Sequence, residues 1–117
     1  MSAYTLRREL DNLTDWHKPR FLQTIETDGP LVSGVIRIAA NTTDRFWERH
    51  DGGDEILMIL KGEATFTLDD GRGEFPVRAG DMIFMPKGVA HNAKITKDLE
   101  VFFITPTEGN VDWEDGA

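Results

Sequence analysis

The chain has 117 residues, of which 39 % are hydrophobic, and it contains three histidines and no cysteine. Disulfides and thiolate metal sites are therefore excluded, and packing has to stabilise the fold. The net charge of −8 and the scattered basic residues disfavour binding to nucleic acid or to an anionic membrane surface. The sequence has no run of about 18 apolar residues and no signal-peptide pattern at its start, so we expect a cytoplasmic protein.

Residues 1–18 differ in pattern from the rest of the chain. Leu6, Leu10 and Leu13 are spaced to lie on one face of a short helix. Asn12 and Asp15 are poor helix formers at this point and weaken that pattern. We therefore predict a short N-terminal arm beside the main fold.

Short strand-like runs separated by glycine, aspartate and proline dominate the sequence after residue 20. Residues 21–27 and 31–39 flank Asp28-Gly29-Pro30 and predict a hairpin. Residues 55–60 are largely apolar, which is typical of a strand covered on both faces, and Gly62 interrupts that run. Residues 64–68 alternate and end at Asp69-Asp70-Gly71, a strong turn signal.

Further strand-like runs cover residues 74–78, 82–85, 91–96 and 99–105. Strands at intervals of about eight to twelve residues, with little helix between them, favour a sandwich or a barrel. The last twelve residues are acidic and have little apolar content, so we expect 106–117 to be a loosely held tail. The prediction is one all-β domain over 1–117 with its core at about 20–105.

Two histidines and two glutamates carry the candidate chemistry. Glu48 and His50 are two residues apart in an extended segment, so both side chains point to one face. Glu55 follows across a short turn, and His91 begins a later strand. Imidazole and carboxylate groups suit zinc, iron, nickel or manganese. Taken singly, each histidine is more often a surface or core residue and each glutamate is more often solvated, so spacing alone leaves the assignment open.

The two segments that carry these residues resemble the double motif of the cupin superfamily. Its first motif has the form G-x5-H-x-H-x3,4-E-x6-G, and residues 48–62 (ERHDGGDEILMILKG) are similar to it. The second has the form G-x5-P-x-G-x2-H-x3-N, and residues 80–91 (GDMIFMPKGVAH) keep every spacing from glycine to histidine. Residues 46–110 also resemble the small single-domain cupins described as mannose-6-phosphate-isomerase-like. The resemblance implies an antiparallel jelly-roll β-barrel with a divalent metal held inside it.

The chain departs from the family pattern at its first motif and at the end of its second. Glu48 stands where the family has its first histidine, Ile95 replaces the closing asparagine, and the glycine ahead of the histidines is missing. Three alternatives remain for Glu48: a metal ligand beside His50, Glu55 and His91, a general base next to a three-residue metal site, or the sign of a cupin without metal.

The resemblance also implies a class of function. Similar cupins act as isomerases, dioxygenases, cyclases and lyases on small molecules, and the fold does not choose among these activities. A non-catalytic protein that binds a small ligand or the metal itself is the alternative. We expect a small-molecule partner and a homodimer, in which the N-terminal arm could cover a sheet edge of the neighbouring chain.

Overall fold

The computed structural model describes residues 3–115, and the helix in this part of the chain is confined to Leu6–Asp11 (α1). All pairings between the described strands are antiparallel, which confirms the predicted all-β antiparallel class. The strands are β1 (Ala3–Thr5), β2 (Leu31–Ile38), β3 (Phe46–His50), β4 (Glu55–Leu68), β5 (Gly73–Arg78), β6 (Asp81–Met85), β7 (His91–Pro106) and β8 (Asn110–Glu114).

Two long strands, β4 and β7, form the centre of the sheet. β4 pairs with β6 near its start and with β5 near its end, while β7 runs along its other edge. β7 in turn pairs with β3 at its start and with β2 over its second half. Each long strand therefore pairs with two different strands along one edge. The sheet bends so that these strands surround a common interior.

The sheet is open, so the expected closure into a barrel is wrong. Its order within residues 3–115 is β1-β6-β4-β7-β3-β8, with β2 on β7 and β5 on β4, and the two ends of this path do not pair with each other. Closure needs the two end strands to meet at a consistent tilt and stagger. β1 has only three residues before α1 begins, so it is too short to bridge the gap.

Gly62 bends β4 instead of ending it. The register between β4 and β7 shifts around Lys61 and Glu63, and Gly62 has a φ of +99°. A β-carbon at Gly62 would lie 2.2 Å from the carbonyl oxygen of Asp98, so only glycine fits there without movement of the backbone. The predicted interruption is thus a β-bulge within one continuous strand.

The hydrophobic core lies between the bent halves of the sheet. Its largest fully buried side chains are Ile59, Ile83, Met85, Ile95 and Leu99. Full burial of a side chain of this size stabilises the folded state by about 1.5–3 kcal/mol. All five lie on β4, β6 and β7, so β4 and β7 carry both core residues and candidate site residues.

The predicted strand at 21–27, and with it the first hairpin, is wrong. β2 pairs with β7, and the segment before it makes a single bridge, between Thr27 and Gly53. Two hydrogen bonds, both of 2.7 Å, hold the backbone of Glu26 against Asp54. The N–H of Glu26 donates to the Asp54 carboxylate, and the N–H of Asp54 donates to the carbonyl oxygen of Glu26. This segment therefore lies across the β3–β4 turn instead of joining a hairpin.

Both end segments of residues 3–115 contain regular structure. Leu6 and Leu10 lie in α1 but Leu13 lies beyond its end, while Ala3–Thr5 pairs with β6 of its own chain. The expected loose tail is wrong over 110–114, because Asn110–Glu114 forms β8 on β3. Val111 and Trp113 alternate with acids, and this period of two is the strand signal within the acidic segment. No helix among residues 3–115 is long and apolar enough to cross a membrane.

Candidate metal centre

The register of three neighbouring strands builds most of the candidate centre. Glu48 on β3 lies directly opposite His91 on β7, so the two side chains project from the same face. His50 is two residues beyond Glu48 and therefore lies on that face as well. On the other side of β3, His50 is the register partner of Asn110 on β8. One face of three adjacent strands thus presents two imidazoles, a carboxylate and an amide.

Glu55 reaches the same face from the first position of β4. The turn between β3 and β4 packs tightly against the loop that precedes β8, because a β-carbon at Gly52 would lie 2.3 Å from the carbonyl oxygen of Glu108. Asp54 is buried, with 6 % of its surface exposed. Its carboxylate accepts backbone N–H bonds from Glu26 and from Lys87, both at 2.7 Å. Asp54 thereby fixes the position of the residue next to it, Glu55.

The loop from Pro86 to Ala90 delivers His91 to the centre. Its turn is closed by a hydrogen bond of 3.2 Å from the N–H of Val89 to the carbonyl oxygen of Pro86. The N–H of Gly88 donates to the carbonyl oxygen of His50 at 2.9 Å. The second motif is therefore attached to the first by two backbone N–H groups, that of Lys87 on the Asp54 carboxylate and that of Gly88 on the His50 carbonyl oxygen.

The four predicted site residues lie within a few ångströms of one another. Ligand atoms of Glu48, His50 and His91 all lie within 4.8 Å of each other. Glu55 Oε1 is 3.1 Å from His50 Nε2 and 3.7 Å from His91 Nε2, while Glu48 Oε1 is 3.5 Å from His91 Nε2. The two imidazole rings are 5.2 Å apart between centroids. Glu48 is partly exposed, whereas the other three are buried.

The charges of the cluster favour a cation at its centre. Burial lowers the pKa of His50, but the carboxylate of Glu55, the amide of Asn110 and the charge of Glu48 outweigh burial and raise it to about 9. Contact with His91 lowers the pKa of the Glu48 carboxyl against the opposing effect of burial, and the charges of His91 and His50 lower it further. Two carboxylates therefore stabilise positive charge between the rings, whether on a proton or on a bound metal ion.

An unsatisfied nitrogen of His50 shows that the residues present fit a metal ion. His50 Nε2 is buried and has no hydrogen-bond partner among residues 3–115, although Glu55 Oε1 lies 3.1 Å from it. The His91 nitrogen that faces the two glutamates is Nε2. His50 Nδ1 donates to Asn110 Oδ1 at 2.8 Å, and Asn110 Nδ2 donates to the Pro106 carbonyl oxygen at 2.9 Å. With Nδ1 so occupied, neutral His50 presents the lone pair of Nε2 to the cluster, as metal-binding histidines do.

The cluster lies at one end of a cavity of about 500 Å³. This volume is in the range of small-molecule sites in proteins. Strands β2, β3, β4, β7 and β8 all contribute to its wall. Four large apolar side chains of β4, β6 and β7 do not belong to the wall: Met58, Phe84, Met85 and Phe102.

The four candidate ligands were predictable from the sequence, but the residues that position them were not. Asn110 falls in the segment that we expected to be loose, and no motif marks it. Asp54 directly precedes Glu55, and its buried position between two backbone N–H groups was the missing information. The lining residues of β2 were also missed, because the wrong hairpin placed that strand elsewhere.

The sequence matches the model of the cupin domain over residues 34–105, which is more than half of the chain. The protein therefore belongs to the cupin family. The matched region contains β3, β4, β6 and most of β7, and thus all four candidate ligands, whereas β8 with Asn110 lies outside it.

Among curated relatives, the chain is 42 % identical over 52 residues to an acireductone dioxygenase from Rhodopseudomonas palustris (strain TIE-1), covering 43 % of this chain and 31 % of the relative. It is 36 % identical over 56 residues to an oxalate-binding protein from Thermotoga maritima, covering 48 % and 45 %. It is 29 % identical over 59 residues to the uncharacterized protein YdbB from Bacillus subtilis, covering 50 % and 51 %. The chain thus spans about half the length of these relatives or less.

Solved structures support the same architecture. Oxalate decarboxylase from Bacillus subtilis, which has Mn(II) centres, matches with a TM-score of 0.59 at 19 % identity over 73 % of this chain and 24 % of that chain. Protein NMB1881 from Neisseria meningitidis matches with a TM-score of 0.56 at 20 % identity over 89 % and 98 %. The antiparallel jelly-roll architecture predicted from the motifs is confirmed, with the sheet left open.

Proposed function

We propose that this protein is a metal-dependent cupin that acts on a small organic molecule. The divalent ion, zinc, iron, nickel or manganese, is held by His50, His91 and Glu48, with Glu55 as a further carboxylate donor. The observation that carries this proposal is the convergence of two imidazoles and two carboxylates at one end of a cavity. The acireductone dioxygenase among the relatives supports an enzyme, of the dioxygenase, isomerase, cyclase or lyase type.

The chain's own residues have separable tasks in this proposal. A bound divalent ion polarises a carbonyl or stabilises an enolate, which is the chemistry that the protein side chains lack. His50 and His91 are buried and aligned by backbone and amide contacts, so they hold a fixed geometry. Glu48 is the exposed member, with 38 % of its side chain accessible. It is therefore the carboxylate best placed to exchange a proton with a substrate group at the cavity.

A non-catalytic binding protein is the second candidate. It is favoured by the similarity to an oxalate-binding protein, since that relative is named for binding alone. Both candidates use the same metal centre, so metal content does not separate them. To separate them, the metal-loaded protein is incubated with small oxygen-rich molecules and the mixture is analysed by mass spectrometry. Formation of a product shows turnover, whereas bound but unchanged molecules show binding alone.

Glu48→Gln tests the ligand set. An amide is a poorer donor to a hard divalent ion than a carboxylate, so we expect the affinity for Zn²⁺ or Mn²⁺ to fall by roughly tenfold or more. The measurement is titration of the metal-free protein by calorimetry, with metal content checked by elemental analysis. Glu74→Gln on β5 removes the same charge away from the cavity and should leave the affinity unchanged.

Two other results of this titration would change the role of Glu48. Metal binding that is unaffected by Glu48→Gln, together with loss of turnover, would assign Glu48 as a base. Wild-type protein that binds neither ion would contradict the proposed function itself.

We also propose that the chain acts as a single cupin domain, as a homodimer and in the cytoplasm. The near-complete coverage of protein NMB1881 supports one domain. β2 pairs on one side with β7 and exposes Val32 and Val35 at 45 % and 74 % of their surface, so burial against a second copy would be favourable. A mass near the monomer value of 13.2 kDa by light scattering at micromolar concentration would contradict the dimer.

A further inference from the structure

The cavity beyond the metal centre has an apolar wall. Alternate residues of the bent sheet face into it, so the wall is built from one face of several strands. Its hydrophobic members include Ile36, Leu57, Phe66, Leu99, Val101 and Phe103. The four candidate ligands occupy one end, which leaves a long apolar surface for whatever else the cavity holds.

Outside the metal centre, the polar side chains of the wall other than Thr105 already form hydrogen bonds within the protein. Arg37 donates to Glu100 at 2.7 Å and has 85 % of its side chain exposed, so its charge is directed to solvent. Thr43 donates to the carbonyl oxygen of Ala93 at 2.7 Å. Asn110 uses its amide oxygen and nitrogen for His50 and Pro106. Among the described lining residues, no other lysine or arginine is present.

Thr105 differs from these polar residues because its hydroxyl is not used by the protein. Its hydroxyl is buried and has no hydrogen-bond partner among residues 3–115. Ile104 pairs with Ile56, so Thr105 lies beside Glu55 at the metal end of the cavity. A spare hydroxyl there can serve the polar head of a ligand but not the body that lies along the wall.

A charged body would be unfavourable in this cavity. A phosphate or a second carboxylate placed against the apolar wall would lose water without gaining a buried cation, because Arg37 is paired with Glu100 and mostly exposed. The carboxylates of Glu48 and Glu55 would repel it further. The volume of about 500 Å³ corresponds to roughly sixteen water molecules, which is far more space than a two-carbon acid needs.

We propose that the ligand of this site is a small molecule with one oxygen-rich head group and an apolar aliphatic or aromatic body. The head group lies at the metal centre near Thr105, and the body lies along Leu57, Val101 and Phe103. This inference rests on the proposed function for the head group, while the apolar wall stands independently of the metal. It distinguishes the site from one for a sugar phosphate or for a dicarboxylate alone.

A series of ligands with one head group tests the wall. The Zn²⁺-loaded protein is titrated with acetohydroxamate, hexanohydroxamate and adipate monohydroxamate, the last having the six-carbon chain with a terminal carboxylate. Each buried methylene contributes about 0.8 kcal/mol, or about fourfold in affinity, so burial of the four additional methylenes of hexanohydroxamate should tighten its binding by about 250-fold relative to acetohydroxamate. Adipate monohydroxamate should bind no better than acetohydroxamate.

A charge placed in the wall should reverse this preference. Ile36 lines the cavity and is half-exposed, so Ile36→Lys is compatible with the fold. In this variant adipate monohydroxamate should bind more tightly than hexanohydroxamate. Ser33→Lys, on the same strand but absent from the cavity wall, is the matched control and should keep the wild-type order.

The outcomes separate this inference from the proposed function. Equal affinities of the three hydroxamates for Zn²⁺-loaded protein, or the same reversal in both lysine variants, would overturn the inference and leave the metal centre intact. If the wild-type protein binds no Zn²⁺, the proposed function fails, and NMR titration of the metal-free protein with acetamide and hexanamide tests the wall. Hexanamide shifting resonances of β2 and β7 more than acetamide does supports the inference, whereas equal shifts overturn it.

Discussion

Replacing His91 with alanine is expected to lower the affinity for a divalent ion by more than about 100-fold, because even loss of a residue that only supports a ligand lowers affinity by about 10- to 100-fold. His91 contributes a buried nitrogen opposite Glu48 and close to Glu55. Without it, one imidazole and the carboxylates remain, too few donors for a tight site of the zinc type. The measurement is metal content after dialysis, together with calorimetric titration.

Two further variants make this a graded test. His17→Ala removes a histidine that is exposed and distant from the motifs, and it should leave metal binding unchanged. Asn110→Leu keeps all four candidate ligands but removes the acceptor of the His50 Nδ1–H bond, so an intermediate loss of about 10- to 100-fold is expected. Metal content of the His91→Ala protein equal to that of wild type would refute the ligand assignment.

Replacing Gly62 with alanine is expected to lower the free energy of unfolding by about 3 kcal/mol or more, since an unfavourable backbone conformation and an overpacked contact each contribute about 1–3 kcal/mol. The φ of +99° disfavours any L side chain, and the new methyl group would meet the backbone of Asp98 at 2.2 Å. At roughly 4 °C per kcal/mol for a domain of this size, the midpoint of thermal unfolding should fall by more than about 10 °C.

Gly80 offers a matched control for this substitution. Its φ is +94°, nearly that of Gly62, but apart from its chain neighbours no atom of residues 3–115 lies within 4 Å of the position that its β-carbon would take. Gly80→Ala should therefore show only the conformational part of the loss, about 1–3 kcal/mol. If both substitutions lower the unfolding midpoint equally, the close approach of β4 and β7 at the bulge contributes nothing to stability.

Most of the strands were predictable because the signals behind them are local, and the four ligand candidates followed from the resemblance of two local segments to the cupin motifs. Glu48 and His50 share a face by the period of two of an extended chain, and Asp69-Asp70-Gly71 makes its turn through short-range backbone chemistry. The spacing in the second motif from Gly80 to His91 likewise needs no knowledge of the rest of the molecule. Composition alone excluded disulfides and thiolate ligands.

Only the tertiary structure decided which strands became neighbours. Asn110 lies 60 residues from His50 in the sequence, and the bond between them depends on β8 pairing with β3. The same kind of long-range pairing placed β2 beside β7, which made the predicted hairpin of residues 21–27 and 31–39 wrong and brought Ile36 into the cavity wall. The two-residue period of a strand shows which face a side chain is on, but it does not show which strand lies beside it. The choice of partner depends on contacts across the whole chain. The candidate ligands could therefore be located from local sequence motifs. The pairing of distant strands decided the supporting amide, the open sheet and the apolar wall.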